Sequence, residues 1–129
     1  MSQIKFYGLD QHLTQCRLNL SDTVHRCIME VLGLPSGKRA HRFIRLSRDD
    51  FIMPEGRSDA YTIIEIQMMS GRSVETRKRL IKLLFERIEH ELNIAPNDVE
   101  ICIIESPPEN WGFRGFVGDE VELTYKVNI

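Results

Sequence analysis

The chain has 129 residues, with 17 Lys and Arg against 19 Asp and Glu, a formal charge of −2, and 42% hydrophobic content. These values describe one ordinary globular α+β-sized domain, residues 1–129, and exclude disordered, collagenous and strongly basic nucleic-acid-binding chains. No apolar run approaches the ~20 residues that cross a bilayer, and Met1-Ser2-Gln3-Ile4-Lys5 lacks the apolar block of a secretory leader. A cytoplasmic protein with no membrane association is expected.

The first predicted element is a strand around Ile4, Phe6 and Gly8, where apolar residues alternate. A helix over residues 11–32 follows, because Leu13, Leu20, Val24, Cys27, Ile28 and Val31 recur at three- and four-residue steps. Gly33, able to take the left-handed conformation, and Pro35 close it. A second strand runs from Arg39 to Leu46, and the segment Asp49 to Asp59, with Pro54-Glu55-Gly56, forms a linker.

The pattern then repeats at an offset of 60 residues. Ile64, Ile66 and Met68 match Ile4, Phe6 and Gly8; Leu80, Ile81, Leu84, Ile88 and Leu92 form the second helical stripe, with Ser73 as its N-cap. Asn93 and Pro96 end that helix, and Val99 to Glu105 is a largely buried strand. The halves, 3–48 and 60–106, are each β-α-β. A tail, 107–129, follows Ser106-Pro107-Pro108 and carries one more predicted strand, Val121 to Val127.

Two α+β architectures fit this order. In a ferredoxin-like sandwich the two units interleave. In the other they lie side by side, giving a four-stranded sheet with two helices on one face. The opposite face, with Tyr61, Ile63, Glu65 and Gln67, then requires neighbouring subunits, and the C-terminal strand or a hairpin is suited to joining them.

Three cysteines and four histidines show no metal-ligand or redox spacing, so no metal and no cofactor are expected, and the thiols read as buried. Lys38, Arg39, His41, Arg42, Arg45 and Arg48 form a basic run; Asp98 to Glu122 is strongly acidic. With one interleaved aromatic, Phe43, the run reads as a partner for the acidic block, within or between subunits, ahead of an anion site, and nucleic acid is disfavoured. Ser70-Gly71-Arg72-Ser73 joins a buried strand to a helix N-terminus, where amides, dipole and guanidinium suit a carboxylate or phosphate. Arg57-Ser58-Asp59 is similar in kind. Trp111 and Phe113, between glycines, pack into a subunit contact or wall a pocket.

The duplicated β-α-β, the stretch from Pro54 through Ile66 followed by Gly71-Arg72-Ser73, and Glu109-Asn110-Trp111-Gly112-Phe113-Arg114-Gly115 resemble the tautomerase superfamily. The likeness is to its malonate semialdehyde decarboxylase-like and 4-oxalocrotonate tautomerase-like branch. It implies the side-by-side tautomerase or MIF-like fold and a homotrimer with the sheets facing a central barrel. It also implies proton transfer on small 2-oxo or unsaturated carboxylic acids by an amino-terminal proline, with arginines holding the carboxylate.

Here Ser2 stands in the proline's place, so removal of Met1 would expose a primary amine, and retention of Met1 would exclude amine catalysis. Lys38 takes the place of the branch's aspartate and Ser70 that of a further arginine. The implied site is Ser2 as the catalytic group, with Arg39, Arg57, Arg72, Trp111 and Phe113 binding a small carboxylate. The alternative is a non-catalytic trimeric homologue that keeps an anion-binding pocket.

Overall fold

A computed structural model describes residues 2–129. Met1, whose removal bears on Ser2, lies outside the described residues. Strand β1 (Ser2–Leu9) leads into α1 (Asp10–Leu32) and β2 (His41–Leu46); β3 (Thr62–Met69), α2 (Val74–Leu92) and β4 (Val99–Ser106) repeat that order. The sheet order is β2-β1-β3-β4, parallel within each unit and antiparallel between β1 and β3. The units therefore lie side by side, and the interleaved ferredoxin-like alternative does not hold.

Strand period places the core. Ile4 and Phe6 of β1 and Ile64, Ile66 and Met68 of β3 are at most 2% exposed and share one cluster with Leu13, Leu20, Val24, Leu80, Leu84 and Ile88 from the helices. Both helices thus cover the same sheet face. Each such side chain contributes ~1.5–3 kcal/mol on burial. Phe43 of β2 extends this face by stacking on Phe6 at 4.4 Å.

The helix ends follow the local chemistry. Thr76 N–H donates to Ser73 Oγ at 3.2 Å, so Ser73 is the N-cap. Gly33 (φ 69°) and Asn93 (φ 57°) take left-handed conformations, their amides donating to Met29 and Glu89 carbonyls.

The uncovered face differs from expectation at one end. Tyr61, expected to be bare, is 2% exposed beneath Phe51 and Leu9, because the linker folds Phe51 and Met53 across it. Farther along, Gln3, Lys5, Tyr7, Ile63, Glu65 and Gln67 remain half-buried, with Tyr7 Oη donating to Glu65 at 2.6 Å.

Two further corrections concern charge and the tail. The basic run pairs mainly with its own half: Arg39 with Asp22 and Arg45 with Asp10, while Arg48 pairs with Asp59 of the linker. β2 and β4 occupy opposite edges, so the acidic strand cannot reach the basic one within a chain. Val121 to Val127 forms no strand: the tail turns away from the sheet edges and packs on the turn before α2. The short strands after β4 are a hairpin, β5 (Gly112–Phe113) with β6 (Phe116–Val117).

Candidate active site

The antiparallel register puts Ser2 opposite Met68, so the start of β1 meets the end of β3. Ser2 is 6% exposed there. The segment entering β2 is held at the same end, since Ile4 N–H donates to the Ala40 carbonyl at 2.9 Å. So is the turn after β3, because Ser70 N–H donates to the Ser106 carbonyl at the end of β4, at 2.8 Å.

Arg72 is the most constrained cation at this end. It is 4% exposed; Nη1 donates to the Met69 carbonyl at 2.9 Å, while Nε and Nη2 are buried with no hydrogen-bond partner. Burial lowers its pKa, partly offset by Tyr125 and Glu105. Glu105 is already paired with Arg77 at 2.9 Å. A buried guanidinium with two idle donor atoms is suited to a bidentate carboxylate, which would satisfy both.

The tail closes over this turn. Ser73 Oγ and Thr76 Oγ1 donate to the Ile129 carbonyl oxygen at 3.1 and 2.6 Å. Tyr125 sits close enough to Arg72 and Arg114 to interact with both charges; its pKa is raised, chiefly by burial. A small cavity of about 50 Å³ lies beside it, lined by Lys38, Phe113, Arg114, Leu123, Thr124 and Tyr125.

The expected site residues divide accordingly. Ser2 and Arg72 come to one end of the sheet, and Phe113 walls the cavity there. Trp111 anchors the hairpin instead: its Nε1 donates to the Ser106 carbonyl at 3.3 Å. Arg39 turns toward α1, 2.6 Å from Asp22, so its neighbour Lys38 lines the cavity in its stead. Arg57 lies at the far end, where β3 begins; its guanidinium is 5.7 Å from the Tyr61 ring centre and 3.4 Å from Glu100. Within one chain Arg57 and Ser2 do not meet. Arg114 and Tyr125 were not singled out from sequence; an arginine between Phe113 and Gly115 was the available signal.

A larger cleft, about 480 Å³, opens at that far end between the start of α1 and the linker. His12 lines it, its pKa lowered by burial, with Nε2 3.3 Å from Thr62 Oγ1. Among the described residues no helix is long and apolar enough to cross a membrane.

A family model described as "Tautomerase enzyme" matches residues 38–114, more than half of the chain. The chain belongs to the tautomerase family. Among curated relatives, the probable tautomerase YusQ of Bacillus subtilis (strain 168) is 26% identical over 99 residues, covering 73% of this chain and 78% of that protein. YrdN of the same organism, also a probable tautomerase, is 26% identical over 113 residues, covering 84% and 85%. The fold is similar to that of the FG41 malonate semialdehyde decarboxylase inhibited by 3-bromopropiolate, with a TM-score of 0.80 at 27% identity over 94% of this chain and 98% of that one. A fused 4-OT, an asymmetric trimer, gives a TM-score of 0.80 at 18% identity, over 92% and 97%.

Proposed function

We propose that this chain is a homotrimeric tautomerase-type protein that takes small 2-oxo or unsaturated carboxylic acids and transfers a proton between carbon and oxygen. The observation that carries this reading is Arg72, buried with Nε and Nη2 unpartnered at the end of the sheet where β1 begins. The substrate carboxylate takes those donors. With Met1 removed, the Ser2 α-amine, whose reference pKa is ~7.7–8.0, accepts a proton from the carbon next to the carbonyl and returns it to the conjugate position. Trp111 and Phe113 supply apolar walls that keep water from the enol.

The trimer reading rests on the two edges of the sheet. β2 offers Arg42 and Arg45 at one edge and β4 offers Glu100 at the other, so copies placed edge to edge bring opposite charges together. Exposed Phe116 and Val117 of the hairpin add apolar area. Arg57 would reach a Ser2 site only from a neighbouring subunit, and Arg39 would have to leave Asp22.

A second reading is favoured by Ser2 and Lys38, which replace the amino-terminal proline and the branch's aspartate: a non-catalytic trimer that retains the anion pocket. Ketonisation of phenylenolpyruvate, with intact mass measured alongside, separates the two. Catalysis predicts activity above buffer in protein lacking Met1, lost in Arg72→Ala. Activity that appears only in Ser2→Pro, or no turnover although the acid binds, assigns the chain to the second reading.

A further inference from the structure

We propose that Lys38 and Arg114 form a second anion-recognition point beside Arg72, so that the preferred ligand is an acid carrying a second, distal carboxylate. This rests on the reading of Arg72 as the first carboxylate site.

Three observations carry it. The first is the composition of the small cavity. Two of its six lining residues are cationic, no acidic side chain lines it, and neither Lys38 nor Arg114 forms a salt bridge among the described residues. Elsewhere on this surface arginines are generally matched: Arg26, Arg39, Arg45, Arg48, Arg77 and Arg87 each have a carboxylate within 3.5 Å. Two unmatched cations facing one enclosed space form a local excess of positive charge that an anion relieves.

The second is size. At about 50 Å³ the cavity has room for little more than one water's share of liquid volume, ~30 Å³. A single carboxylate fits; an aromatic ring does not. Tyr125 stands between this cavity and Arg72, interacting with the charges of both Arg72 and Arg114. The two anion points are therefore separate but close enough for one short-chain acid to span.

The third is the backbone at Arg114. Phe113 pairs with Phe116, so Arg114-Gly115 is a two-residue hairpin turn, and both residues have positive φ, 54° and 84°. Such a turn prefers Asn-Gly, and a side chain as large as arginine costs ~1–2 kcal/mol there. Asn would serve the turn better. The arginine's position is nevertheless well defined, its guanidinium lying 5.4 Å from the Phe113 ring centre at the cavity wall. Strain of this kind concentrates at ligand sites. Lys38 is fixed from the other side, where its N–H donates to the Pro35 carbonyl at 2.9 Å and closes the turn that enters β2.

Isothermal titration with matched flexible acids tests the proposal. Succinate is compared with butyrate, and glutarate with valerate, so that each pair differs only by a carboxylate in place of a methyl group. Wild type is expected to bind the diacid of at least one pair about tenfold more tightly than its monoacid, and Lys38→Met or Arg114→Asn to reduce that preference below about threefold. Asn tolerates the positive φ, and circular dichroism confirms that each variant is folded. Equal affinity for both members of each pair, with binding that still requires Arg72, overturns the second anion point and leaves the first standing. A diacid preference that survives both substitutions also overturns it. If no acid binds, or binding is indifferent to Arg72→Met, the Arg72 reading fails and the proposal falls with it.

Discussion

Gly71 and Val127 are in direct contact: a Cβ on Gly71 would stand 2.8 Å from Val127 Cγ1. The turn that carries Arg72 and the tail that closes over it are thus built around the missing side chain. Gly71 also has φ 137°, which L side chains rarely adopt. Gly71→Ala therefore meets both strain and a clash. It is expected to cost roughly 1–3 kcal/mol in denaturant unfolding and to make residues 123–129 more susceptible to proteolysis.

Arg72 sets stability against binding. A 4% exposed guanidinium with two unpartnered nitrogens is costly to bury, and a methionine of similar length retains the packing without the charge. Arg72→Met is expected to leave stability unchanged or raise it by up to ~2 kcal/mol, while abolishing carboxylate binding. Thermal unfolding and titration on the same sample check both halves.

The linker is tied to the second unit by one buried carboxylate. Asp98, 8% exposed, accepts from Ser58 N–H at 2.8 Å and from Ser58 Oγ at 2.6 Å. Asp98→Ala leaves the Ser58 amide without its acceptor and is expected to destabilise by about 1.5–3 kcal/mol. Hydrogen exchange should show the loss concentrated in residues 51–61, the stretch that covers the sheet around Tyr61.

His41 gives stability a pH dependence above the carboxylate range. Burial, with smaller contributions from His25 and Arg39, lowers its pKa from 6.5 to about 4; Ser21 Oγ lies 2.7 Å from its Nδ1. Between those values the unfolded chain holds a proton that the native state does not. Stability is therefore complete above pH 6.5 and falls as the pH drops toward 4, by roughly 2–4 kcal/mol at full development. His12, also lowered by burial, acts with the same sign. Urea unfolding at a series of pH values should show the slope, and His41→Gln should flatten it in part.

Much of the fold was legible because it is written in local chemistry. The apolar alternation at Ile4–Phe6 and Ile64–Ile66, the helical stripes, the Ser73 cap and the Gly33 and Asn93 stops each depend on residues within a few positions of one another. They specified two β-α-β units at a 60-residue offset, and the motif at Gly71-Arg72-Ser73 marked the turn that carries the buried arginine. Residue spacing alone left the interleaved and side-by-side arrangements open, since both satisfy the same periodicities.

Which groups face one another was decided by strand register and by the path of the tail. The pairing of Ser2 with Met68 brings Arg72 to the start of β1 and sends Arg57 to the opposite end. The order β2-β1-β3-β4 separates the basic strand from the acidic one, although their charges looked complementary in one dimension. Val121 to Val127 had the pattern of a strand but found no sheet edge, and instead closed over Gly71 and brought Tyr125 beside Arg72. Lys38, Arg114 and Tyr125 are scattered along the sequence, and only tertiary packing makes them walls of one cavity. Periodicity records which face of an element is buried; what lies across from that face depends on long-range contacts that no short window of sequence contains.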